Sequence, residues 1–170
     1  MRNHLRNCLH KMDLISELGP LAFGSRLKRL SETIMRGGED VYRFYGVDFQ
    51  PKWFPIFYFL SQKNEAGIME IAEGLNVTHP AIIQMAKELE KKGLIISKKS
   101  DEDARKRNLK LSKKGKTLLP TLQKIWEEIK LMNAEIIENQ EHNLLIAVKE
   151  IEDAWTEKSY LERFKEFHGL

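Results

Sequence analysis

Between Leu94 and Leu111 the hydrophobic spacing of this chain changes. On either side, apolar residues recur every three or four positions, the mark of helices with one buried face. Within LIISKK and RNLKL the pattern is that of strands, and Leu109 and Leu111 alternate as one buried face. A lone hairpin is barely stable in water, so it must lean on the helices that flank it in sequence. The connecting residues, Ser100 to Lys106, read as a turn. Around them cluster Arg105, Lys106, Arg107, Lys110, Lys113 and Lys114. The leucines anchor the hairpin to a core and leave the cations outside.

That charge is local. Residues 87–116 carry 12 Lys/Arg against 5 Asp/Glu, whereas residues 127–170 carry 5 against 11. The net charge of the whole chain is only +3. A basic middle and an acidic end describe a confined polyanion-binding surface. With 170 residues, 42% of them hydrophobic, the chain can bury one compact core or two small lobes. No apolar run is long enough to span a membrane, and MRNHLRNCLHKMDLISEL lacks the apolar stretch of a signal peptide. The single cysteine, Cys8, allows no internal disulfide. The expectation is a cytoplasmic protein without membrane association.

The remaining chain reads as helical. Leu14, Leu18 and Leu21 share a helical face, as do Leu27, Leu30 and Ile34. At Gly19-Pro20 the first helix either kinks or begins, and Gly37-Gly38 reads as its end. An aromatic segment from Tyr42 to Phe59 leads into a helix started by Pro51 and ending near Ser61. QKNEAG reads as a loop and IMEIAEGL as a short helix. After a tight turn at Asn76-Val77, the Thr78 hydroxyl can cap a helix that Gly93 stops. Ile82, Met85, Ala86 and Leu89 form its core face. Beyond the hairpin, Ser112 can cap a long helix that Pro120 bends, and one final helix carries Leu144 to Phe164.

A short helix, a turn, a second helix and a hairpin make a winged helix-turn-helix. The fold class is thus mainly α with a small β-hairpin wing. An α-helix fits the DNA major groove, and its exposed side chains reach base edges. Off the core face of the second helix lie Thr78, His79, Pro80, Ile83, Gln84 and Lys87. Gln84 can pair with adenine, Ile83 can touch a thymine methyl, and Lys87 suits the phosphate backbone. Ile83 equally fits the edge of the core stripe. The wing cations, Arg105, Lys106 and Arg107, can meet phosphates or enter the minor groove.

The stretch IMEIAEGLNVTHPAIIQMAKELEKKGLIISKKSDEDARKRNLKLSKKG resembles the winged-helix core of MarR-type bacterial transcription regulators. Its most specific part is LEKKGLI followed by Asp103-Ala104-Arg105 and Leu109-Lys110-Leu111-Ser112-Lys113-Lys114-Gly115. The chain departs from the pattern at Ser100, at Glu102 and at Asn76, which stands at the usual glycine turn. Asn tolerates the left-handed conformation. The resemblance implies that Arg105 enters the minor groove and that Asp103 orients it. It implies segments 1–48 and 116–170 as dimerisation arms about a DNA-binding lobe, 49–115. Leu14, Leu18, Leu21, Leu144, Val148, Ile151, Trp155 and Phe164 would then form a homodimer interface, although the C-terminal stripe also fits an intramolecular core.

The resemblance further implies a small aromatic effector bound among Tyr42, Tyr45, Trp53, Phe57 and Tyr58, and repression of a near-palindromic operator relieved by it. Those aromatics also read as plain core. Cys8, with Arg2, Arg6, His10 and Lys11 nearby, offers a second sensor of the thiol type. No cofactor or metal site is expected: His4, Cys8 and His10 match no strong ligand spacing. Enzyme chemistry lacks a motif, with no phosphate loop, zinc-helix pattern or nucleophile elbow. A winged-helix module that binds protein is the competing reading, but it has no use for the basic wing.

Overall fold

The computed structural model describes residues 13–99 and 107–170. The chain divides into two compact units, one ending at Thr117 and one running from Leu118 to Leu170.

In the first unit, α1 (Leu14–Glu17) is capped by the Asp13 carboxylate, which accepts from the Ser16 amide at 3.4 Å. Arg29 grips the same carboxylate with both guanidinium nitrogens, at 2.7 and 2.9 Å. That pairing holds the Asp13 carboxyl well below the usual carboxylate range. Gly19–Ala22 form a 3-10 turn with Pro20 in its first positions, so the chain bends there before α2 (Phe23–Phe44) begins. The helix does not end at Gly37-Gly38 as its composition suggests. It continues to Phe44, because glycine permits a break but does not force one. Gly38 serves a close approach instead: a Cβ there would lie 2.8 Å from Pro51 Cγ.

A second 3-10 turn, Pro51–Trp53, leads into α3 (Phe54–Gln62). Next come β1 (Ala66–Gly67), α4 (Ile68–Leu75) and α5 (His79–Lys91). Then follow β2 (Ile95–Lys99) and β3 (Arg107–Leu111). The sheet order is β1-β3-β2, antiparallel throughout, with Ser97 opposite Leu109 and Ala66 opposite Leu109 on the other side. The loop expected at QKNEAG therefore contains a strand. Two residues are too few to show a period, so no pattern marks it.

The core of this unit collects Ile56, Phe57 and Leu60 from α3, Ile71 from α4, Ile82 and Leu89 from α5, and Leu94, Ile95 and Leu109 from the sheet region. Burying each such side chain contributes about 1.5–3 kcal/mol before entropy is counted. Gly115 shows how tightly it closes: a Cβ there would sit 2.1 Å from the Leu94 carbonyl oxygen.

The last helices are α6 (Lys113–Glu138), α7 (Leu144–Glu157) and α8 (Tyr160–Phe167). α6 is continuous through Pro120. The single final helix expected from the leucine spacing is two helices. Ser159 interrupts it with a capping box: its hydroxyl accepts from the Glu162 amide at 3.3 Å, and Glu162 accepts from the Ser159 amide at 2.8 Å. Trp155 stacks on Tyr160 across that break, with ring centroids 5.1 Å apart. No helix of the described residues is long and apolar enough to cross a membrane.

Candidate nucleic-acid interface

α4 and α5 form the helix pair expected of a helix-turn-helix. Asn76 makes the turn in the left-handed region, at φ 51°. The Val77 amide donates back to Ala72 at 3.0 Å. Thr78 starts α5 in extended backbone, and its carbonyl accepts from Ala81 and Ile82 at 3.0 and 3.2 Å. Its hydroxyl makes no capping bond, contrary to expectation. The reason lies at the second helical position: Pro80 has no N–H to donate, and the Ala81 N–H goes to the Thr78 carbonyl.

Ile82, Ala86 and Leu89 bury one face of α5. The opposite face leaves Thr78, His79, Pro80, Gln84 and Lys87 exposed, with Ile83 half-buried at its edge. On the hairpin, Leu109 and Leu111 are buried, while Arg107 is exposed at the outer end of β3. Lys98 is exposed on the face opposite those leucines, and Lys110 is half-buried on it. The expectations for Asp103, Arg105 and Lys106 lie outside the described residues, as does that for Cys8. The covalent connection at 100–106 joins the strand ends at Lys99 and Arg107, which pair with each other.

Sequence reasoning missed one cluster. Glu88, on α5, accepts from Trp53 Nε1 at 2.8 Å and pairs with Lys52 Nζ at 2.6 Å. Lys52 first, then Trp53, and least of all Gln84, hold the Glu88 carboxyl below its ordinary range.

The five aromatics expected around an effector divide. Tyr42, Trp53 and Phe57 are buried about Phe49, in edge-on contacts with centroids 5.0 to 5.7 Å apart. Tyr45 and Tyr58 are exposed, against Phe44 and Phe54 respectively. An open groove of about 700 Å³ lies elsewhere, lined by Gly19, Pro20, Phe23, Leu27, Leu30 and Arg26 among others. Of the residues expected at a dimer interface, Leu14, Leu18, Leu21, Ile151, Trp155 and Phe164 are exposed in the single chain. Leu144 and Val148 are half-buried. Among the described residues no cluster of His, Cys, Asp and Glu could hold a metal ion.

The sequence model of the MarR family matches residues 54–106, beginning at the start of α3. Solved structures share the fold at low identity. A mutant MarR from E. coli complexed with operator DNA superposes with a TM-score of 0.63 at 17% identity, over 84% of this chain and 97% of that one. BpsR of Bordetella bronchiseptica, whose DNA binding is regulated by 6-hydroxynicotinic acid, gives 0.61 at 12% identity, over 80% and 94%. The adhesin competence repressor AdcR of Streptococcus pyogenes gives 0.55 at 19%, over 79% and 96%. No curated protein matches the chain by sequence.

Proposed function

We propose, from the match of residues 54–106 to the MarR-family model, that this protein is a sequence-specific DNA-binding transcription regulator. The single observation that carries the reading is the split character of α5. One face is locked into the core by Ile82, Ala86 and Leu89, and the other offers His79, Gln84 and Lys87 to a groove. The hairpin extends the same unit with Lys98 and Arg107 exposed. In this reading Gln84 reads a base edge, Lys87 and Arg107 meet phosphates, and Arg105 supplies charge to the minor groove.

The protein acts as a homodimer on a near-palindromic operator. A single recognition helix reads few base pairs, and two-fold symmetry doubles the site. The apolar side chains left exposed on α1, the 3-10 turn after it, α2, α7 and α8 support this, Leu21 in that turn at 85% and Phe167 at 86% being the extremes. Repression relieved by a small aromatic ligand is the regulatory mode, by analogy with the repressor and the nicotinate-regulated neighbour above.

Selection of bound duplexes from a randomised library tests the reading. It is expected to return an inverted repeat whose half-sites lie about one helical turn apart. Recovery of unenriched sequence would contradict it.

A further inference from the structure

Besides its buried face and its exposed face, α5 meets the connection between α2 and α3. It does so through Glu88 and Lys92, one turn apart. The Trp53 indole N–H donates to Glu88 Oε2 at 2.8 Å, and the Lys52 ammonium lies 2.6 Å from the same oxygen. A buried indole N–H needs such an acceptor. Asp48 Oδ2 accepts from Lys92 Nζ at 2.6 Å, and that ammonium lies 6.0 Å from the centre of the Trp53 ring. The two pairs have opposite polarity. A slip of α5 by one turn would set Lys92 against Lys52 or Glu88 against Asp48, like charges in either case.

The same connection is fixed to α2. The chain turns at Gly46, φ 66°, where the Val47 amide donates to the Tyr42 carbonyl at 2.9 Å and the Gly46 amide to that of Arg43 at 3.0 Å. Tyr42 of α2, Phe49 and Trp53 are all buried. Phe49 stands edge-on to both of the others, with centroids 5.0 Å from Tyr42 and 5.7 Å from Trp53. Pro51 closes on Gly38 of α2, where a Cβ would come within 2.8 Å of its Cγ. Close-packed rings pass a displacement on, since they have no free volume to absorb it. An unbroken path of contacts therefore runs from α2 through Phe49 and Trp53 to Glu88. Nearer its start, α2 exposes Leu27, Leu30 and Ile34, the apolar face left for a second copy.

We infer that Glu88 and Lys92 are positioning residues that tie the recognition helix to α2 through residues 48–53, with the bond from Trp53 to Glu88 as the joint. Whatever displaces α2 thereby resets α5 on DNA. This rests on the DNA-binding reading above. Neither residue reads a base; each acts through the placement of α5.

A wedge on α2 tests the link. Gly38→Ala sets a methyl against Pro51, and no atom of α5 lies within 4 Å of that methyl. Gly37→Ala is the control, because its Cβ meets open space. Hydrogen exchange of the free protein is followed in α5, with α4 in the same sample as the reference for global unfolding. Binding to the duplex selected by the wild type is measured beside it. Gly38→Ala is expected to change α5 exchange relative to α4, and the affinity for the duplex, each by about fivefold. Gly37→Ala should change neither. In a Glu88→Ala background, where the joint is cut, Gly38→Ala should change both by less than about twofold. A Glu88 that only added stability would leave the two substitutions additive.

An α5 unmoved relative to α4 in Gly38→Ala, or a full effect of Gly38→Ala in the Glu88→Ala background, would overturn the inference. If Gly38→Ala does not fold, Pro51→Ala loosens the same contact from the other side, and the same cycle with Glu88→Ala decides. The exchange is read without DNA, so the two readings fail separately. Selective wild-type binding with α5 unmoved overturns the link alone. A shift in α5 that needs Glu88, with no selective binding by the wild type, upholds the link and removes the DNA-binding reading.

Discussion

The hydroxyl of Ser112 donates to the carbonyl oxygen of Gly93 at 2.6 Å. The hydroxyl oxygen of Ser112 in turn accepts from the Gly115 amide at 2.9 Å, so it also caps α6. One side chain therefore joins the turn that ends α5 to the start of α6. The Ser112 amide adds a bond to the Leu94 carbonyl at 3.0 Å. Ser112→Ala removes both hydroxyl bonds in a buried place. It is expected to cost about 1–3 kcal/mol in urea denaturation. A loss below a few tenths would mean that the junction is not set by this hydroxyl.

Two glycines should respond in opposite directions. Gly37 stands within α2 with open space where a Cβ would go, so Gly37→Ala should stabilise by about 0.5–1 kcal/mol. Gly115 has the Leu94 carbonyl at 2.1 Å from the same position, and backbone cannot step aside as a flexible side chain can. Gly115→Ala should destabilise by about 1–3 kcal/mol or more. Equal effects on the denaturation midpoint would show the junction to be looser than described.

Ser97 lies opposite Leu109, and its buried hydroxyl has no hydrogen-bond partner among the described residues. Such a group costs about 1–3 kcal/mol in desolvation. Ser97→Ala should therefore raise the melting temperature, and a fall would contradict this account of the site.

The Glu88 carboxyl has its folded pKa lowered by Lys52, Trp53 and Gln84. Its contribution to stability is thus fully present above the unfolded value, about 4.3, and is lost as pH falls through the lower folded value. Glu88→Gln lacks this contribution at every pH. The stability gap between wild type and Glu88→Gln should be widest near neutrality and narrow as the solution is acidified below about pH 4. A gap independent of pH would rule out the ionised contact of Glu88 with Lys52 and Trp53.

Much of this architecture was legible in the sequence. α4 is the IMEIAEGL segment to the residue, because a short amphipathic helix between a glycine and an asparagine turn has clear ends. The Ser112 cap and the buried pair Leu109 and Leu111 followed from residue type and period. The misreadings have physical causes. Gly37-Gly38 looked like a helix end because local propensity was read without the packing of Pro51 against Gly38. The break at Ser159 was hidden by apolar residues that keep helical spacing on both sides of it, although Ser159 and Glu162 spell a capping box. The Glu88 contacts were beyond reach: their partners lie 35 and 36 positions away in sequence, and no local pattern joins Trp53 and Lys52 to α5.

The central claim is that the exposed face of α5 and the wing bind DNA selectively. Fluorescence anisotropy of the full chain on duplex DNA from its own upstream intergenic region, titrated across salt beside a scrambled duplex, tests it most directly. The account predicts tighter binding to the genuine duplex, weakening with salt. Lys87→Ala and Arg107→Ala should each reduce the log–log salt slope by about one. Failure to bind either duplex even at low salt would contradict the account.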